Sequence, residues 1–280
     1  MSGLAGLLAV LDLTPTDSGF TAGSLDEGRE VVFGGQLLAQ AVIAAGRAAP
    51  DKDLKSLHTV FARSARPDAP LDIELDPIHA GRSFASTTLS IRQDGRTCAR
   101  STALLHAPDE DLIRYEPDPP DAGRPEDWAP RSVNGIWDVR TVGDVDLADE
   151  GVGPPSLDVW VRFPGGPTDP VIGRALVAYA SDGFLIGTAM RPHEGLGQAQ
   201  AHVTVSTTVL SQTIVFHEPV DASRWLLLAQ RSPYAGRGRS YGQGDVWSDD
   251  GRLLASFVQE NMIRAFPPDA RPAAGQPARH

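Results

Sequence analysis

The sequence predicts an α+β protein made of two copies of one unit, each an antiparallel sheet wrapped around a central helix. Three observations lead there. An almost wholly apolar helical segment at residues 34–48 is followed by four strand-like segments. The same order, helix and then strands, returns after residue 170. Two short identities also lie at nearly equal offsets: Gly81-Arg82-Ser83 with Gly238-Arg239-Ser240, and Asp94-Gly95-Arg96 with Asp250-Gly251-Arg252, displaced by 157 and 156 residues. Identities this short are weak by themselves, but their agreement with the repeated element order favours duplication over a single irregular α+β domain.

Each element has a local reason. In the first helix Leu37, Ala41, Ala44 and Ala45 fall at helical spacing, and Pro50 ends it soon after Arg47. With so little polar face the helix has to be enclosed. Residues 57–62, 71–75, 84–91 and 97–105 carry strand signals, with Gln93-Asp94-Gly95 as the turn between the last two. A run of strands after a buried helix makes a sheet that curls around it. From 108 to 130 the composition shifts to Pro, Asp and Glu without periodicity, which reads as a linker. The second copy has a strand signal at 157–163 and a helix from Pro170 to about Ala180, with Thr168 or Asp169 as its cap. Strands follow at 202–216, 225–230, 240–247 and 252–263. The expected organisation is a first repeat over 1–107, a linker over 108–130, a second repeat over 131–268 and a flexible tail over 269–280.

Composition excludes several classes. With 41% hydrophobic and 22% charged residues the chain is globular, not collagen-like, coiled-coil or wholly disordered. A net charge of -11 repels nucleic acid and anionic membranes, so neither is an expected partner. The longest mainly apolar stretch, 176–190, is interrupted by Ser181 and Asp182 and falls short of the roughly 20 residues a bilayer span needs. The apolar run at 4–11 has no basic residue before it and no small-residue cleavage site, unlike a signal peptide. The single cysteine, Cys98, cannot form an internal disulfide, in keeping with the cytoplasmic location expected here. An anionic small ligand would need a local basic pocket, for which Arg231, Arg237 and Arg239 are the candidates.

Motif analysis is mostly negative. Gly238-Arg239-Ser240-Tyr241-Gly242 matches the G-x-S-x-G nucleophile elbow formally, but an acid and then a histidine must follow the serine, and only the terminal His280 does. Seven histidines show no H-E-x-x-H and there is no cysteine pair, so no metal is expected. The glycines beginning at Gly236 have Tyr241 where a dinucleotide fingerprint needs its third glycine, and no cofactor is expected. Two polar residues in apolar surroundings are more informative. Asp182 lies between Ala178-Tyr179-Ala180 and Phe184-Leu185-Ile186, where burial would raise its pKa toward the range of a general base; the alternative is a helix-terminal acid capping the next turn. Gln259, in Ser256-Phe257-Val258-Gln259-Glu260, is a neutral amide able to hold a water or a carbonyl, or an ordinary polar strand residue.

Several stretches together resemble the type II acyl-CoA thioesterases, TesB-type enzymes built as two hot-dog domains in one chain. They are Val32-Phe33-Gly34-Gly35-Gln36, Ser56-Leu57-His58, Gly81-Arg82-Ser83-Phe84, Ala180-Ser181-Asp182 with Phe184-Leu185, Phe216-His217-Glu218-Pro219, Trp225-Leu226-Leu227, 235–240 and 256–264. The resemblance implies a double hot-dog fold and hydrolysis of fatty acyl-CoA by direct attack of water, the water being held by an Asp, a Ser or Thr, and a Gln. Asp182 and Gln259 match two of these, but Val209 occupies the hydroxyl position. Strand alternation would put Thr207 and Ser211 on the face of Val209, and Ser211 is the expected catalytic replacement. Gln212 stands where the family often has histidine. The 156-residue shift places Ala103 opposite Gln259, so the first repeat is expected to contribute walls, with Gly34, Gly35 and His58 at the junction of the halves. Arg237 and Arg239 would face the CoA phosphates. The family also implies a homodimer or higher homo-oligomer. Two alternatives remain: a non-hydrolytic or very slow acyl-CoA-binding protein, motivated by Val209, and an enoyl-CoA hydratase, which would need a histidine beside Asp182.

Overall fold

The computed structural model describes residues 2–26, 28–149 and 151–266. The expected tail at 269–280 lies outside the described residues. The chain opens with α1 (Gly3–Leu11) and a short hairpin, β1 (Thr14–Thr16) and β2 (Gly19–Ala22). The first copy then has α2 (Gly34–Ala48), β3 (Asp53–Phe61), β4 (Leu71–Ala80), β5 (Phe84–Gln93) and β6 (Arg96–His106). After β7 (Arg131–Val133) and β8 (Trp137–Thr141), the second copy has β9 (Ser156–Arg162), α3 (Pro170–Ser181), α4 (Leu185–Met190), β10 (Val205–Phe216), β11 (Leu226–Gly236), β12 (Arg239–Ser248) and β13 (Leu253–Ala265).

Among the described residues thirteen strands form one antiparallel sheet, in the order β1-β2-β4-β5-β6-β3-β10-β13-β12-β11-β9-β8-β7. On either side of the β3–β10 seam the order is the same: β3, β6, β5, β4, β2 mirrors β10, β13, β12, β11, β9. The duplication read from two short identities is thus an architectural fact. His58 and Thr213 pair directly across the seam.

The helices have local reasons to form. Asp169 caps α3, its carboxylate accepting from the amides of Val171 and Ile172, and Pro170 occupies the first helical position, where a missing N–H costs nothing. Helices α2 and α3 pack against each other on the inner face of the sheet, and residues from Gly35 to Ala45 and Gly173 to Ser181 are buried. At Gly173 an added Cβ would collide with the carbonyl oxygen of Val220, so only glycine permits that approach. The N-terminal run that does not resemble a signal peptide is α1, which buries Leu7 and Leu11 in the same core.

Segment 108–130 contains one short 3₁₀ turn, Pro125–Asp127, and runs over the outer face of the second half. Ala122 packs there with Trp160, Trp225, Leu227 and Trp247, and its carbonyl accepts from the indole N–H of Trp128 at 2.9 Å.

Candidate active site

The apolar stretch 176–190 is two helices, broken at Asp182-Gly183-Phe184. Asp182 follows α3 with φ -82° and ψ -8°. It does not cap the next helix: α4 is preceded by Phe184 and has no side-chain cap. Its carboxylate turns instead to the N-terminus of α2, in the other half of the molecule, and accepts the backbone N–H of Gly35. Approach this close requires glycine, since a Cβ on Gly34 would stand 2.8 Å from Asp182 Oδ2 and one on Gly35 would strike the Tyr179 carbonyl.

Three buried amide and hydroxyl side chains complete the site. Gln259 Nε2 donates to Asp182 Oδ1 at 2.9 Å and to Gln212 Oε1 at 2.8 Å. Gln212 Nε2 donates to Ser181 Oγ at 2.6 Å, and that hydroxyl donates to the Ala178 carbonyl. Gln212 and Gln259 are directly opposite on β10 and β13, and each is 1% exposed. The Gln259 carbonyl oxygen, also buried, has no partner among the described residues.

Burial sets the electrostatics. Asp182 is 8% exposed, and the rings of Phe33, Tyr179, Trp137 and Phe184 cluster around its end of α3, with Phe33 and Tyr179 5.0 Å apart and Trp137 and Phe184 5.6 Å apart. Loss of water pushes its carboxyl up to about 7, against the opposing pull of the Gly35 amide and the positive charge of Arg29. Arg29 lies 5.6 Å from the centroid of the Phe33 ring.

The structure thus joins Asp182, Gln259, Gly34 and Gly35, but it separates other candidates from them. Ser211 is a correction. A β-bulge between Val209 and Ser211 inserts Leu210, so that Val209 pairs with inward Asn261 while Ser211 pairs with outward Glu260. Alternation that counts through the bulge predicts the wrong face for Ser211. Thr207, before the bulge, is inward and 2% exposed. His58 sits at the junction, as expected, but faces outward: it is exposed, its Nδ1 lies 2.8 Å from Thr213 Oγ1, and it lines an outer groove of about 420 Å³ with Val60, Ser211 and Glu260. Arg237, at the β11–β12 hairpin tip with φ 54°, and Arg239, in the row of Met262, are exposed at the end of the sheet. Arg231 lies further along β11 and is also exposed.

Gln212, noted from the sequence only as standing where the family often has histidine, joins the site, with Ser181 behind it. Its signal was an amide amid the apolar residues of β10, but only the bulge turns it toward Gln259. The pseudo-symmetric position lacks all of this chemistry. Ala103 stands opposite Leu57 and Thr87, as Gln259 stands opposite Gln212 and Gly242. Ala49 follows α2 where Asp182 follows α3. Among the described residues no group of three or more His, Cys, Asp or Glu side chains is placed to hold a metal ion.

Comparison with known proteins agrees with this architecture. Residues 21–106 match the model of the acyl-CoA thioesterase N-terminal domain, and residues 114–263 that of the acyl-CoA thioesterase C-terminal domain. The chain is 31% identical to acyl-CoA thioesterase 2 of Haemophilus influenzae over 93% of this chain and 98% of that one. It is 27% identical to human acyl-coenzyme A thioesterase 8 over 92% of this chain and 88% of that one. Among solved structures, the acyl-CoA thioesterase II TesB2 of Mycobacterium marinum superposes with a TM-score of 0.80 at 28% identity, covering 94% of this chain and 99% of that one. A protein with a hot-dog fold from Alicyclobacillus acidocaldarius superposes with a TM-score of 0.76 at 23% identity, covering 93% and 98%, and shares the fold. With both family domains matched in order around the β3–β10 seam, the chain is a double hot-dog protein and belongs to the acyl-CoA thioesterase family.

Proposed function

We propose that this protein hydrolyses fatty acyl-CoA to free acid and CoA, with Asp182 as the general base that activates water. The observation that carries the proposal is a buried carboxylate, pushed up to about 7, bonded both to the Gln259 amide and to the glycine N-terminus of a helix from the other half. A water between Asp182 and the thioester gives one proton to the carboxylate as its oxygen attacks the carbonyl carbon. The tetrahedral oxyanion then collapses, the C–S bond breaks, and the proton passes from Asp182 to the departing thiolate. Gln259 holds the carboxylate at a fixed angle through its Nε2 donor. The first amides of α2, which have no intrahelical acceptor, favour negative charge at this end of the helix.

Several finer points belong to the same proposal. Arg239 lies three residues, or about 10 Å along the strand, from Gly242 in the row of Gln259, and Arg237 two residues further at the hairpin tip, within reach of phosphates on a long pantetheine arm. The charge of -11 and the lone buried Cys98 support a cytoplasmic enzyme of fatty acid metabolism acting without nucleic acid or membrane partners. Among the described residues no helix is long and apolar enough to cross a membrane. Assembly into a homo-oligomer is supported by Val60, Phe84 and Leu104, exposed on the outer face of the first half.

The test is thiol release from medium- and long-chain acyl-CoA. Asp182→Asn is expected to slow it by about 10²- to 10⁴-fold, as loss of a general base does, and Gln259→Ala by about ten- to a hundredfold. Release that both variants leave intact refutes the site. Binding of acyl-CoA without release by the native protein would favour a non-hydrolytic binding role, which Val209 motivates.

A further inference from the structure

On the inner face of the second half, side chains from three neighbouring strands lie in rows. One row is Gln212 on β10, Gln259 on β13 and Gly242 on β12, the row of the catalytic amides. The next is Val209, Asn261 and Ser240, on the same strands. Val209 stands where the family resemblance calls for a water-holding hydroxyl. Its direct cross-strand neighbour is a polar side chain, and Cβ atoms in such pairs are only about 5 Å apart.

Asn261 is 0% exposed, and its Nδ2 donates to Ser240 Oγ at 3.3 Å, on the β12 flank. That occupies the amide nitrogen on the β12 side of β13, while Val209 is the cross-strand neighbour on the β10 side. Oδ1 is buried and has no partner among the described residues, and neither has Gln259 Oε1 one row away. A buried acceptor left without a donor is costly, so two of them in adjacent rows, one on the side chain that holds Asp182, mark a place where a donor belongs. Val209 itself is only half-buried, so the row opens toward solvent at that point.

We propose that Asn261 supplies the hydrogen bond to the attacking water that Val209 cannot, so that the water-holding group has moved across the strand pair from β10 to β13. The inference rests on Asp182 and Gln259 forming the catalytic centre. A water donating one O–H to Asp182 has a second O–H to place, and Asn261 Oδ1 accepts it where a hydroxyl on residue 209 would otherwise do so. The site is then a rearranged form of the family's site and not a depleted one.

A double-mutant cycle separates this from a structural role for Asn261. Steady-state thiol release is measured for the native protein, Asn261→Ala, Val209→Thr and Val209→Thr/Asn261→Ala, each with its melting temperature. Asn261→Ala is expected to lower kcat by about ten- to a hundredfold, the value of one hydrogen bond, with KM changed by less than about twofold. Val209→Thr is expected to raise native kcat by less than about threefold but to recover at least about fivefold in the Asn261→Ala background. A packing defect at residue 261 would not be cured by a hydroxyl at residue 209. The proposal is overturned if Asn261→Ala keeps kcat within about twofold, or if the double variant is no faster than Asn261→Ala. Should Asn261→Ala fail to fold, Val209→Thr alone decides: a gain of about tenfold or more on the native background means that nothing replaces the hydroxyl, and a gain below about threefold bears the proposal out. Failure of the underlying catalytic centre looks different, because Asp182→Asn would then retain activity.

Discussion

Asp182 carries two linked consequences of its burial. The proposed base role requires the ionised form, so kcat/KM is expected to fall as pH drops through about 7, the value to which burial raises its carboxyl, and to level off above it. A profile flat from pH 6 to 8 would contradict that role. The same shift makes the group a liability for stability, and its sign is opposite to that of a salt-bridged acid. The unfolded chain releases the proton near its ordinary value of 3.8 while the folded chain keeps it until about 7, so across that window the folded state binds more protons and stability declines as pH rises. Over about three pKa units the loss is of the order of 4 kcal/mol at most, since one unit corresponds to about 1.4 kcal/mol. Chemical denaturation of Asp182→Asn beside the native protein is expected to show the variant gaining relative stability between about pH 4 and 7, with the difference constant above that range. The carboxylate would then be an instance of stability given up for function.

At the scale of the element, the N-terminus of α2 and the bulge in β10 do the positioning. Gly34 and Gly35 are adjacent, yet they face different atoms, so their alanine variants separate activity from folding. A Cβ at Gly34 meets the end of a side chain and not backbone, Asp182 Oδ2 at 2.8 Å, and Gly34→Ala is expected to depress kcat at least tenfold with a small change in melting temperature. A Cβ at Gly35 meets the backbone carbonyl of Tyr179, which cannot yield without moving α3 away from α2. Gly35→Ala is expected to cost about 1–3 kcal/mol, read as a lower melting temperature, in keeping with overpacking in a close-packed core. Equal effects of both variants on melting would mean that the carboxylate is not where the glycine needs it. The bulge acts differently: by inserting Leu210 it lets one strand present Val209 and Gln212 inward although three positions separate them.

For the whole molecule, the Asp182 carboxylate and its receiving helix end come from different halves, so the proposed site exists only when the halves are joined. The seam is well tied. Strands β3 and β10 pair from Ser211 with Val60 to Val215 with Ser56, Lys55 Nζ donates to the Phe216 carbonyl at 2.8 Å, and buried Arg174 on α3 meets Asp53 on β3 at 2.8 Å. One contiguous hydrophobic cluster includes α1, α2, α3 and strands from both halves. Unfolding is therefore expected to be a single cooperative transition by calorimetry, with activity lost in the same temperature range; two resolved transitions would show that the halves fold independently.

The sequence by itself determined the two-copy plan, the span of α2 and the capped start of α3, and marked Asp182 and Gln259 as polar residues in apolar surroundings, whose joint role only the family resemblance implied. These rest on local chemistry: periodicity, capping residues, and a polar group set among apolar ones. The short elements α1, α4, β1, β2, β7 and β8 were not legible, because they are held by packing against the core or a strand edge and carry little signal of their own. Only the tertiary structure decided which face each β10 side chain takes, because one inserted residue reverses strand alternation beyond it, and Ser211 and Gln212 exchange the roles that counting assigns them. It also decided that the Asp182 carboxylate meets the N-terminus of α2 instead of capping its own next turn, a choice set by long-range packing of two helices that no local pattern records.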